Sequence, residues 1–198
     1  MNPTATALVG VAYLLGSLSF AVLLVRLFTG KDIRAQGSGN AGATNVLRAH
    51  GKKLGLAVAA LDIGKGAVAV FLVRQVTANP RYAAAAAFAA ILGHVFPLFY
   101  SFRGGKGVAT AVGAFLALAP LPTLVCIGIF VAVVAATRYV SLGSVVAMVL
   151  LPPVAGVLFR VPRPVVLAAA ATAALIVLKH RENLRRLAQG KERKLGSK

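Results

Sequence analysis

Carboxylates are almost missing from this sequence. Asp32, Asp62, Glu182 and Glu192 are its only acidic residues, in a chain of 198 that carries 22 Lys and Arg. No Asp/Glu/His cluster stands at the spacing of a zinc site or a paired-magnesium site, so no metal is expected. Cysteine occurs once, as Cys126 in an apolar run, which excludes a disulfide framework and a thiolate cluster and leaves a small buried hydrophobe. The G-x-S-x-G elbow that would expose a serine nucleophile is absent. There is no aromatic-rich soluble domain to read bases, and the basic residues gather at the ends of apolar segments, so nucleic acid is not the expected partner.

What is present in abundance is apolar: 59% of the residues are hydrophobic and the mean hydropathy is +0.83. That composition belongs to an all-α integral membrane protein, read here as one polytopic domain over residues 1–198 without a separate soluble domain. The formal net charge of +18 favours anionic partners, either lipid headgroups or phosphorylated substrates. The first Lys or Arg is Arg26. A signal peptide needs its positive charge before the apolar core, so the first apolar stretch is expected to be a retained span.

Apolar runs place spans at about Thr4 to Val25, Leu54 to Val73 and Tyr82 to Phe102, with later ones at Ser141 to Leu158 and Val165 to Leu178. The stretch from Val108 to Thr137 is uncharged and carries Pro120-Leu121-Pro122 near its middle. It is either one overlong kinked helix or two helices of ~14 residues, short of the ~17 a span usually needs. Charge decides between them. Two helices give seven spans with the N-terminus outside, the C-terminus cytoplasmic and 18 basic residues inside; only Arg74, Arg81, Arg160 and Arg163 then lie outside. A single helix divides the basic residues equally, so the positive-inside rule selects seven. The inner count includes Lys65 and the tail residue Lys198.

With seven spans, the polar segments Arg26–Lys53, Arg103–Lys106, Arg138–Ser144 and the tail share the cytoplasmic face. The central string is GHVFPLFYSFRGGKGVAT, residues 93–110. Its Gly104-Gly105-Lys106-Gly107 run precedes an apolar helix starting near Val108. Glycines let successive N–H groups turn toward one anion, a helix start adds its dipole, and Lys106 adds a full charge. The competing reading is a tight turn between membrane helices. The first loop, GSGNAGATNVLR from Gly37 to Arg48, contains a formal G-x-G-x-x-G, but no βαβ unit can surround it here. It still offers glycine-exposed N–H groups and Arg48 to a phosphate, or it is a flexible loop capped by Asn and Thr. His180 and Asn183 share a helical face where the last span leaves the membrane. The rest of that basic tail suits a helix resting on anionic lipid. Asp62 lies inside a span, where a carboxylate costs ~2.5–3.5 kcal/mol, and pairing with Lys65 is its expected role.

Together GSGNAGATNVLR, GHVFPLFYSFRGGKGVAT, RYVSLGS (Arg138 to Ser144) and KHRENLRRLAQGKE (Lys179 to Glu192) resemble the motifs of the bacterial acyl-phosphate:glycerol-3-phosphate acyltransferases, the PlsY family. Mild departures are Lys179, where the family commonly has Arg, and Leu184, where it often has Ile. None of His50, His94 or His180 is followed five positions later by Asp, so the soluble glycerolipid acyltransferase motif is missing. The resemblance implies seven spans in the bacterial cytoplasmic membrane and transfer of a fatty acyl group from acyl phosphate to glycerol 3-phosphate at its cytoplasmic face. Lysophosphatidate and phosphate are the products, and neither cofactor nor metal is needed.

By position, the resemblance assigns Ser38, Arg48, Lys106, His180 and Asn183 to glycerol 3-phosphate. It assigns Gly104, Gly105, Lys106, Gly107, Val108, Ala109 and Thr110, with Asn40, Thr44, Asn45 and Ser144, to the acyl-phosphate headgroup, and His94 beside it. Ser38, Lys106, His94 and Asn183 are the expected catalytic groups. The acyl chain would lie between spans, in lipid, and a soluble partner would make and deliver acyl phosphate. No covalent acyl-enzyme is expected, because acyl phosphate is already a mixed anhydride with a good leaving group. The proton acceptor is either a histidine or a substrate phosphate, with the substrate preferred. The alternatives are a transporter of a small phosphate ester or anion, which would commonly show a repeat and a midplane site, and a structural anchor that grips lipid.

Overall fold

The computed structural model describes residues 2–196, and Lys198 lies outside them. The described residues are helical, with no β-strand among them. They cluster into two compact units, one ending at Leu118 and the other starting at Ala119.

In the first unit, α1 (Pro3–Gly16) starts on an Asn2 cap whose side chain accepts from the Ala5 N–H, with proline in its first turn where no helical donor is needed. A short break leads to α2 (Phe20–Thr29), and the two make one apolar stretch, Pro3–Thr29. This span continues past the expected end at Val25. Arg26 lies inside the last turn of α2, and the stop comes at Gly30, a left-handed C-cap at φ 67°. A 3₁₀ turn at Ile33–Ala35 and α3 (Ala43–His50) form the first loop. Ile33, Ala41 and Val46 of that loop pack with Val22, Val25 and Val58, so the loop is seated on the membrane helices by buried aliphatic contacts.

Next come α4 (Lys52–Val76), α5 (Pro80–Val95), a 3₁₀ turn at Leu98–Tyr100, and α6 (Val108–Leu118). Helix α5 packs on α1 and α6 packs on α4. Both contacts are backbone-close. A Cβ at Gly93 would strike the Tyr13 carbonyl, and one at Gly113 the Ile63 carbonyl. Small residues are what permit such approach where lipid removes the hydrophobic driving force between helices. Lys65 lies within the second span, as expected, although the inner-face count of cations includes it. It is buried well inside α4, which lowers the expected inner charge count by one.

The second unit holds α7 (Pro120–Thr137), α8 (Val140–Pro153), a π turn at Val154–Leu158, α9 (Arg163–Lys179) and α10 (Arg181–Ala188). Helix α8 packs between α7 and α9. The disputed stretch from Val108 to Thr137 is two helices parting at Ala119. They are unequal, 11 and 18 residues, rather than two of ~14. Among the described residues, five stretches are long and apolar enough to cross a membrane, six if α9 and α10, bent by 58°, count as one; α6 is shorter.

Candidate active site

The first loop is built around Asn45, which is 4% exposed. Its Oδ1 accepts from the Ser38 N–H at 3.0 Å, and its Nδ2 faces the carbonyls of Ile33, Gln36 and Asn40 at 3.3, 3.0 and 3.0 Å. One amide therefore satisfies a loop too irregular to satisfy itself. Gly37 must be glycine because its φ is 58° and a Cβ would enter the Asn45 Oδ1. Ser38 and Arg48 lie exposed, and Asn40 and Thr44 are half-buried. Asp32 accepts from Arg26 and Arg34, each at 2.7 Å. Hydrogen bonding from Arg34 holds its carboxyl well below the usual range, against the opposing effect of burial.

The glycine loop is seated on His94. The Gly105 N–H donates to the His94 carbonyl at 3.1 Å. A Cβ at Gly105 would collide with the His94 imidazole and also crowd the Ala41 carbonyl of the first loop. The fold thus brings the two glycine-rich strings of this unit against each other. Gly107, at φ 87°, turns the chain into α6, whose first turn holds Val108, Ala109 and the buried Thr110. Lys106 stands half-buried between Gly105 and Gly107.

Behind the loop, Lys65 Nζ is 2.7 Å from Asp62 Oδ1, the expected pairing. It also donates to the Leu18 carbonyl in the break between α1 and α2. His94 Nδ1 lies 3.5 Å from the same carboxylate oxygen.

In the second unit, Glu192 is the hub. Its Oε1 accepts from Asn183 Nδ2 at 2.6 Å and from Ser141 Oγ at 2.9 Å, and its Oε2 from Arg186 Nε at 2.8 Å. Burial raises the Glu192 pKa, but the hydrogen bonds from Asn183, Arg186 and Ser141 outweigh it and leave the carboxyl below its ordinary value. His180 sits at the bend between α9 and α10, with Nδ1 2.8 Å from the Ile176 carbonyl. Ser144 Oγ donates to the Val140 carbonyl of its own helix. The tail folds back on the turn before α8, where the Leu195 N–H donates to the Arg138 carbonyl and the Arg138 guanidinium to the Leu195 carbonyl.

The family model for glycerol-3-phosphate acyltransferase matches residues 6–190. The chain belongs to this family. Similar family members include the glycerol-3-phosphate acyltransferases of Geobacter sulfurreducens, 46% identical over 93% of this chain and 94% of the relative, and of Clostridioides difficile, 44% identical over 95% and 94%. Among solved structures, the glycerol 3-phosphate form of PlsY, an integral membrane glycerol 3-phosphate acyltransferase, superposes with a TM-score of 0.93. Its identity is 39%, covering 98% of this chain and 96% of that one. The lysophosphatidic acid form gives 0.90 at 37% identity, with the same coverage. That likeness, with the apolar helices described above, makes this family member an integral membrane protein.

The acyltransferase motifs named from sequence lie in loops, at the ends of the long helices and in the short helices α3 and α10. Three supporting groups were not legible. Glu192 ended the string KHRENLRRLAQGKE without a role, Ser141 was passed over within RYVSLGS, and the Asp62–His94 approach joins residues whose proximity depends on how α4 and α5 pack.

Proposed function

We infer that the chain transfers a fatty acyl group to the hydroxyl of glycerol 3-phosphate, giving lysophosphatidate, and that acyl phosphate is the donor. The observation that carries the reading is Gly105, enclosed by the His94 imidazole and the Ala41 carbonyl, which places the GGKG turn beside the first glycine-rich loop. In this reading the backbone N–H groups of Gly104–Thr110 and the Lys106 ammonium hold the phosphate of the donor, with Asn40, Thr44 and Ser144 as further polar contacts. Asn45 acts by fixing the backbone of Ser38 and Asn40. Ser38, Arg48 and Lys106, with His180 and Asn183, are assigned to glycerol 3-phosphate by family resemblance. Glu192 fixes the Asn183 amide by accepting its N–H.

The glycerol hydroxyl attacks the acyl carbonyl directly. A C–O ester bond forms, the acyl–phosphate bond breaks, and phosphate leaves with the electron pair. Loop N–H donors stabilise the carbonyl oxyanion and Lys106 the departing phosphate, while a substrate phosphate takes the hydroxyl proton. Neither a metal nor an acyl-enzyme is invoked. The same reading keeps seven spans with the N-terminus outside, α6 as the short span, and the polar motifs on the cytoplasmic side of a bacterial inner membrane. A soluble partner supplies acyl phosphate.

The test is product formation by purified protein in lipid, given glycerol 3-phosphate with acyl phosphate or with acyl-CoA. Lysophosphatidate and phosphate from acyl phosphate alone, without added metal, are expected. Product only with acyl-CoA would overturn the donor assignment.

A further inference from the structure

The sequence has no histidine followed at the fifth position by aspartate, yet the first unit brings a carboxylate to a histidine from two separate helices. Asp62 comes from α4 and His94 from the last turn of α5, and they are 1% and 6% exposed. His94 Nδ1 has no hydrogen-bond partner among the described residues, and Asp62 Oδ1, at 3.5 Å, is the anionic oxygen it faces. Lys65 balances the charge of that carboxylate at 2.7 Å and is itself tied to the Leu18 carbonyl. The other ring nitrogen, Nε2, lies where a Cβ on Gly105 would collide with it, and the His94 carbonyl accepts the Gly105 N–H. One histidine therefore meets the glycine loop with both its ring and its backbone.

Stability alone does not account for the buried pair. Replacing a buried ion pair by apolar groups of similar volume is often neutral or stabilising, and a charged residue inside a span is a functional candidate by default. What singles out Asp62 is the ring beside it. In a neutral imidazole, an anionic oxygen facing one nitrogen favours the tautomer that carries its proton there.

We propose that Asp62 is a positioning residue that acts through His94: it holds the ring as the Nδ1–H tautomer and turns the Nε2 lone pair toward the glycine loop at Gly105. The ring then meets the loop as a hydrogen-bond acceptor, in one orientation. What Asp62 controls is the geometry of the Gly104–Thr110 loop, and hence the fit of the donor phosphate. This role rests on the acyltransferase reading, but the tautomer itself does not.

Two measurements test it. The first is two-bond proton–nitrogen NMR of histidine-labelled protein in lipid nanodiscs, where three rings, His50, His94 and His180, contribute and His94→Gln assigns the signal. The parent is expected to show His94 as the Nδ1–H form. The paired variant Asp62→Asn/Lys65→Met, which leaves no unpaired buried charge, is expected to shift His94 toward the Nε2–H form. An Nε2–H ring in the parent, or an unchanged ring in a folded paired variant, overturns the proposal.

The second measurement is kinetic. The paired variant is expected to raise KM for acyl phosphate and lower kcat/KM by roughly 10- to 100-fold, with KM for glycerol 3-phosphate little changed. No further loss should follow when the paired change is added to His94→Ala. Losses that multiply in full would mean that Asp62 acts independently of His94 and would overturn the relay. If the paired variant does not fold, the parent spectrum and Asp62→Glu decide: Glu should retain the Nδ1–H form, and loss of that form overturns the proposal. If the parent makes no product with acyl phosphate, the donor reading fails, while the spectra still decide the Asp62–His94 relationship.

Discussion

Glu192 accepts a 2.6 Å hydrogen bond from the side-chain amide of Asn183, nine residues before it, and both residues are buried. The carboxylate closes the C-terminal tail onto α10 and the start of α8 at once, because Ser141 and Arg186 reach it too.

Glu192→Ala is expected to strip three donors of their acceptor and to cost about 1–3 kcal/mol in the second unit. Activity should fall further than stability, because Asn183 loses its orientation. Thermal unfolding in detergent and initial rates at saturating substrate check this; parental rates would separate Asn183 from the reaction.

The pH dependence has a fixed sign. Glu192 is held below its ordinary value of 4.5, so its ionised form is favoured by folding. The stability it contributes is fully present above that ordinary value and is lost as pH falls through the lower folded value. Unfolding followed from neutral to acidic pH should show this loss in the parent, and Glu192→Gln should lack it.

Asn45→Ala is expected to cost about 1–3 kcal/mol, since the Ser38 N–H and three carbonyls lose their shared partner. Asn45→Asp keeps the acceptor for Ser38 but presents a carboxylate to three carbonyl oxygens, so it should rescue little. Parallel melting curves and KM for glycerol 3-phosphate report the two effects.

Gly105→Ala is expected to abolish measurable turnover, because the added methyl enters the His94 ring and crowds the Ala41 carbonyl. Gly64→Ala is the control, with open space around the same addition on α4, and should keep parental activity. Equal rates for the two variants would contradict the seating of the loop on His94.

Lys106→Ala is expected to fold and to lose roughly 3–4 kcal/mol of transition-state stabilisation, seen in kcat. Near-parental turnover would remove Lys106 from the departing phosphate.

The helical class, the approximate spans and the motifs were legible because apolar runs and glycine-rich strings are local. The prolines that open α1 and α5 and the Gly30 stop of α2 are also local signals, but the expected bounds at Thr4, Val25 and Tyr82 did not use them. Even the division of Val108–Thr137 into two helices followed from charge and the Pro120–Pro122 cluster, although its unequal lengths did not. Lys65 pairs with Asp62 inside the second span as expected, and only its place in the inner-face charge count lapses, because a count of cations takes no account of depth.

By itself the sequence determined an all-helical membrane chain whose glycine-rich strings and cations suit phosphate chemistry, since composition and turn residues act over a few neighbours. The tertiary structure alone decided which groups support them. Asp62 reaches His94 because α4 and α5 pack in one particular register, Asn45 gathers carbonyls up to 12 residues away, and Glu192 folds back on Asn183 and Ser141. These are contacts of packing, set by how small residues let helix backbones approach, and no spacing along the chain encodes them.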